Sequence, residues 1–337
     1  QTVEDAWDTI LSGKPEQIGE GLRWIYSSYE AKRPGKTTLF DEFMDTRFPM
    51  HTAPQLTPHQ AAEVVSTTIT LKDDFERMSA ILEGNWPYTA HATQITAWDR
   101  DRLRLLIVEL KLHVCMPLLI AASSLNQPVF AQVVHVIERF MYRYKIVVNA
   151  RIESAMKVFL EQAKNIRTQP ATFTVAALSA QLKALLDQHA PEALFRSRLD
   201  EQRYTTSSTT KPLKYLLLTL DAFEPWFANG GAGAPTANKT TVADFTANTL
   251  EHVHAQNSVP VDPAMVDRVH MLGNLAVLSP ADNGALGNLP FAGKRAVLAN
   301  SPSPLNRRIA AENIWGAAEV DARQARLKDM AVKVFAL

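Results

Sequence analysis

Apolar residues recur three and four positions apart along most of the first two thirds of the chain. Trp7, Ile10 and Leu11, followed by Ile18, Leu22, Ile25 and Tyr26, keep the spacing of one helix face. Thr57-Pro58 joins a hydroxyl N-cap to a proline suited to a first turn. It predicts a helix through Phe75, Met78 and Leu82 that stops at Gly84-Asn85. The β-branched interior of that stretch (Val64, Val65, Thr67, Thr68, Ile69, Thr70) works against helix. Asp99 to Leu125 is the most apolar segment, expected to be a buried helix kinked at Pro117. Pro128–Tyr144, Ala150–Arg167, Thr174–His189, Pro191–Arg203 and Lys211–Phe227 continue a helical bundle, with loops at Thr168–Thr172 and Thr205–Thr210.

The texture changes at Asn229–Thr241, N-G-G-A-G-A-P-T-A-N-K-T-T, where nothing could anchor a core. Short strands and turns follow, and Glu312–Phe335 returns to helix. The expected class is mainly α, an N-terminal helical bundle followed by a small α+β domain. The expected boundaries are 1–228 for the bundle, 229–241 for a linker and 242–337 for the second domain.

Composition narrows the picture little. The 337 residues suffice for about two domains and a sizeable core. Lys+Arg and Asp+Glu both total 35, so a polyanion partner would have to meet a local basic surface. The single cysteine, Cys115, excludes an intramolecular disulfide framework and a four-cysteine zinc site. Arg102, Arg104, Glu109, Lys111 and His113 interrupt the best membrane-spanning stretch, so no membrane partner is expected. With no signal-peptide pattern, the cytoplasm is the expected compartment. The chain opens at Gln1 and is expected to be part of something longer.

Chemistry concentrates between Thr249 and Arg295. T-L-E-H-V-H-A-Q-N places Glu251 and His252 at the end of an expected strand, Thr249–Val253. A Gly273-Asn274 turn follows, then a second strand, Leu275–Leu278, and a helix start at Asp282-Asn283. Taken singly, these residues are ordinary: a hydrogen-bonded His, a solvated Glu, a turn Asn, a helix N-cap, and a solvated helix face at Lys294 and Arg295. Their order is more specific. E-H, then G-N-L-x-x-L, then D-N, then F-x-x-K-R within one short window resembles the ββα-metal, or HNH, nuclease finger. It is most similar to the finger ending the GmrSD and SspE group of phage-restriction proteins.

That resemblance implies a metal-dependent DNA endonuclease, a nickase acting in prokaryotic anti-phage restriction on phage duplex DNA. His252 takes the general-base position, where an imidazole with a pKa near working pH suits water activation. Glu251 and Asn283 take the positions of ligands to one divalent cation, Mg²⁺ or Mn²⁺, which keep several waters. Asn274 takes the place of the asparagine that holds the histidine loop by side-chain to backbone bonds. Lys294 is expected to meet a phosphate oxygen, and Arg295, Arg307 and Arg308 to extend a positive surface. Adjacent strand residues face opposite ways, so Glu251 and His252 must sit where the backbone turns if both are to serve one site.

The departures matter. Ala255 replaces the proline of the family pattern, and His254 is additional: a metal ligand, an alternative base, or neither. His270 is expected to be structural or a DNA contact. The chain carries no Walker A sequence, so the resemblance implies an effector half, with a nucleotide-hydrolysing sensor in an absent segment or partner. Double-strand cutting by a single-site finger implies repeated nicking or a homo-oligomer. Two other readings stay open: a non-catalytic DNA-binding module with a decayed finger, and an RNA-cleaving toxin nuclease.

Overall fold

The structure, a computed structural model, describes residues 2–12, 15–205, 207–258, 260–286 and 289–337. These residues form fifteen α-helices and one two-stranded sheet, in two compact units. The class is mainly α with a small α+β part, as expected.

The first unit comprises residues 1–138 and 151–182. It contains α1 (Val3–Leu11), α2 (Pro15–Glu30), α3 (Leu39–Arg47), α4 (Pro58–Leu82), α5 (Ala97–Arg104), α6 (Met116–Ala122), most of α7 (Gln127–Met141), α8 (Glu153–Thr168) and the first half of α9 (Val175–His189). Its centre is α6, every residue of which is buried, with α2, α4 and α8 packed around it. Local chemistry starts α4 where the sequence places it. Thr57 Oγ1 accepts from Gln60 N at 3.3 Å, and Gln60 Oε1 accepts from Thr57 N at 2.9 Å. Thr57→Ala should therefore cost about 1 kcal/mol in a urea melt. The β-branched interior is carried by packing of Thr68, Leu71, Phe75, Met78 and Ile81.

The expected helix from Asp99 to Leu125 is broken, and not at Pro117. After α5 a π-helical turn (Leu105–Glu109) is followed, two residues on, by Lys111, whose φ of 54° is left-handed. The chain then bends by 114° into a 3₁₀ turn and α6. Pro117 sits in the first turn of α6, where its missing N–H has no intrahelical acceptor to lose. No single helix among the described residues is long and apolar enough to cross a membrane.

The second unit comprises residues 139–150 and 183–337. It begins with a π-helical turn (Tyr142–Val147), then α10 (Glu192–Asp200) and α11 (Ser207–Ala228). Here α11 starts inside the loop expected at 205–210, and Thr206 lies outside the described residues. The antiparallel strands β1 (Thr249–His252) and β2 (Leu275–Leu278) follow, then α12 (Pro280–Leu286), α13 (Phe291–Ala299), α14 (Pro304–Ala311) and α15 (Ala317–Val334). Tyr142 anchors one end of the unit: its ring stacks 4.8 Å from Phe335, and its hydroxyl donates to Pro212 O at 3.0 Å.

The second unit takes in α10 and α11 ahead of 229–241: α11 packs with both strands, and α10 and α11 pack with α15. The Gly- and Ala-rich stretch is itself tied to α11. Asn238 N donates to Ala222 O at 2.7 Å, and Trp226 Nε1 donates to Ala232 O at 3.0 Å. On α11, Asp221 accepts from Ser303 Oγ at 2.6 Å and from Leu305 N at 2.9 Å, fixing the start of α14.

Candidate nuclease site

The hairpin pairs Thr249 with Leu278 and His252 with Leu275. Strand alternation gives Thr249, Glu251, Ala276 and Leu278 one face, and Leu250, His252, Leu275 and Val277 the other. The first face closes over a core of Val253, Leu286, Leu298, Ile309 and Trp315. Thus α12 and α13 complete a strand-strand-helix arrangement on the side that carries Glu251.

Asn274 is the centre of this geometry. It is 0% exposed, and its amide uses both donors and both acceptor sites. Nδ2 donates to His254 O at 3.1 Å and to Val269 O at 2.8 Å. Oδ1 accepts from His254 N at 2.8 Å and from Trp315 Nε1 at 2.9 Å. The His254 peptide is held from both sides, so Asn274 positions the loop after the Glu-His pair and cannot itself touch substrate. The turn is gripped from behind by α15. Gln324 Oε1 accepts from Gly273 N at 2.7 Å, and Arg323 Nη1 donates to Gly273 O and Leu275 O, both at 2.8 Å. Burial pushes the Arg323 pKa down to about 10, so it remains a cation at neutral pH.

Gly273 has a packing reason as well. It lies in a 3₁₀ turn, Leu272–Asn274, and an added Cβ would collide with the backbone carbonyl oxygen of Val320. Backbone yields less readily than a side chain. Gly273→Ala should therefore lower stability by about 2 kcal/mol, read from denaturation midpoints.

His252 is enclosed on the face away from Glu251. It is 9% exposed, with Tyr204 edge-on at 5.0 Å and His270 Nδ1 at 3.2 Å from its Nε2. Burial, the neighbouring His270 and then Lys294 push its pKa down to about 4. The ring is therefore neutral at physiological pH and able to accept a proton. His270 enters the site as the hydrogen-bond partner of His252. His254 is half-buried, its Nε2 3.0 Å from Ser258 Oγ.

Glu251 is half-buried, and its carboxylate has no hydrogen bond or ion pair among the described residues; Lys294 is its electrostatic neighbour. Asn283 joins it on the same face, since its Nδ2 donates to Thr249 Oγ1 at 2.9 Å and leaves Oδ1 uncommitted. The helix start expected at Asp282-Asn283 falls earlier: Ser279 Oγ caps Asp282 N at 3.2 Å, α12 begins at Pro280, and Asn283 lies within the helix. Glu251 and the Asn283 carbonyl thus offer one carboxylate and one amide oxygen on a common face. Two oxygen donors fit a hard cation that keeps most of its water. No group of three or more His, Cys, Asp or Glu suited to a metal occurs among the described residues.

The cations expected at a phosphate are largely occupied. Lys294 is 1% exposed and donates to His252 O at 2.7 Å, pinning the end of β1; it is a structural clamp, not a surface contact. Phe291 of the same F-x-x-K packs 5.6 Å from the Trp315 ring. Arg295 donates to Ala310 O at 3.2 Å, and Arg307 to Ser301 O and Pro302 O at 2.8 Å. Arg308 pairs with Glu224. Sequence reasoning assigned no role to Tyr204, Trp315, Arg323 or Gln324 at the turn, since they belong to no motif.

A strand hairpin and following helix, carrying a Glu-His pair and a fully bonded asparagine, define a small α+β domain of nuclease type. Residues 191–330 match the family model of the GmrSD restriction endonucleases, C-terminal domain. That match implies a nuclease of the restriction-endonuclease class, with DNA as the substrate. A comparison with curated proteins returned no match.

Proposed function

We propose that the chain is a metal-dependent, HNH-type DNA endonuclease that nicks duplex DNA as the effector of a prokaryotic anti-phage system, acting in the cytoplasm. The observation that carries this reading is Asn274, which fixes both sides of the His254 peptide and so holds the Glu251-His252 segment against the hairpin. Glu251 and Asn283 Oδ1 would hold a Mg²⁺ or Mn²⁺ ion. When bound, that ion neutralises charge at the scissile phosphate and on the departing 3′ oxygen. The neutral His252 imidazole accepts a proton from water as the water oxygen bonds to phosphorus and the P–O3′ bond breaks. His270 orients that ring, and Lys294 holds the carbonyl behind it. One such site cuts one strand, so a double-strand break needs a second copy or a second encounter. A sensor domain or partner protein supplies recognition of the invading DNA.

The test is relaxation of supercoiled plasmid with Mg²⁺ or Mn²⁺, in the presence and absence of EDTA, for the wild type, His252→Ala and His254→Ala. Metal-dependent nicking lost in His252→Ala is expected. Loss in His254→Ala alone would move the base to His254, and cleavage of matched RNA in place of DNA would change the substrate. The alternation that turns His252 away from Glu251 favours one other reading, a DNA-binding module without catalysis. It predicts no nicking and salt-dependent binding indifferent to metal.

A further inference from the structure

With Lys294 buried and Arg295, Arg307 and Arg308 tied to internal acceptors, an uncompensated group of cations stands out elsewhere, in the first unit. Four helices bring it together: Tyr29 from α2, Arg47 from α3, Asp74 and Arg77 from α4, and Arg167 from α8. The Tyr29 ring carries Arg47 at 3.8 Å and Arg167 at 4.4 Å from its centroid. Its hydroxyl donates to Asp74 Oδ2 at 2.8 Å. Arg167 Nη1 donates to Asp74 Oδ1 at 2.9 Å, and Arg77 Nη1 lies 4.0 Å from the same oxygen.

The charges do not balance. Asp74 is 1% exposed and is the one carboxylate paired with these groups among the described residues; Arg77 and Arg167 share it, and Arg47 adds a third guanidinium beside them. Arg47 has no ion pair among the described residues. Arg167 has a side chain only 7% exposed, yet its Nη2 is buried without a hydrogen-bond partner. Packing alone explains a Tyr-Asp-Arg cluster with one arginine; it does not explain two more held beside it. Guanidinium groups fixed by ring stacking lose little freedom on meeting a planar pair of phosphate oxygens. Arg47 and Arg77 keep solvent access, the Arg77 side chain being 35% exposed.

We propose that Arg47 and Arg77, backed by Arg167 on the Tyr29–Asp74 pair, form a phosphate site through which the helical unit holds the backbone of the substrate duplex. This rests on nucleic acid being the substrate, but not on catalysis at His252.

The experiment is equilibrium binding of a fluorescent DNA duplex to the full chain in EDTA across a salt series. Each phosphate neutralised contributes about 0.9 to the slope of log affinity against log salt. Arg47→Ala/Arg77→Ala is expected to weaken binding roughly tenfold at moderate salt and to lower that slope by about 1. Arg47→Lys/Arg77→Lys, which keeps the charge, should restore most of the slope. Lys157→Ala, on an exposed α8 lysine (side chain 77% exposed), should change neither. Unchanged affinity and slope in the double alanine variant would overturn the proposal, as would an equal loss in Lys157→Ala. A parallel titration with ATP separates the sources of phosphate: loss of ATP binding with duplex binding intact would overturn the assignment to DNA. His252→Ala should bind the duplex as the wild type does, so a failure of the catalytic reading leaves this result standing.

Discussion

Asn274→Ala should be the most damaging single substitution in the second unit. Removing the amide leaves His254 N–H, His254 C=O, Val269 C=O and Trp315 Nε1–H without their partners in a place water does not reach. A buried polar group left unsatisfied costs about 1–3 kcal/mol, and four sharing one vacated space do not add fully. The expected loss is on the order of 4 kcal/mol, measured as a shift in the denaturation midpoint at constant m-value. Plasmid nicking should fall with it, at temperatures where the protein is still folded, because the loop after Glu251-His252 is no longer fixed. Asn274→Asp separates the two effects: it keeps both acceptor contacts, loses the two donated by Nδ2, and should lie between wild type and alanine in both assays. A variant as stable as the wild type would remove Asn274 from its central place.

Acidification should weaken the metal-free protein through His252. Its pKa is near 4 in the folded chain and near the usual 6.5 when unfolded. Between those values the unfolded chain binds one more proton than the folded one, so stability rises with pH across this window. Above the unfolded value the burial of a neutral ring carries no protonation penalty. As the pH falls toward 4 the penalty grows to about 3 kcal/mol, and below that it is constant. Urea melts in EDTA from pH 7 to pH 4.5 should show this slope in the wild type. In His252→Gln the part due to this proton should vanish. Equal slopes in the two proteins would mean that the imidazole is not held in its neutral form.

How far the chain could be understood from its sequence depended on the range of the interactions. The start of α4 was legible because Thr57, Pro58 and Gln60 settle it within four residues. The hairpin was legible because two short apolar runs flank the Gly-Asn turn, and Asn274 because the motif around it is specific. Lys294 was not: F-x-x-K identifies the residue but not whether its amine faces solvent or the carbonyl of His252. Trp315, Arg323 and Gln324 reach the turn from 41 to 51 residues away along the chain, beyond what any local pattern records. The break before α6 was misplaced because proline is the visible irregularity, whereas the left-handed residue is Lys111. At 229–241 glycine and alanine read as a linker, and the hydrogen bonds from this stretch to α11 leave no mark in composition.

The hold of α15 on the Asn274 turn also sets an order of events during synthesis. Glu251 and His252 leave the ribosome well before Trp315, Arg323 and Gln324 exist to lock the turn beneath them. At about 5–20 residues per second, the Glu251-His252 segment spends several seconds as unfinished chain. On the function proposed above, the site would be completed only once the closing helix has emerged.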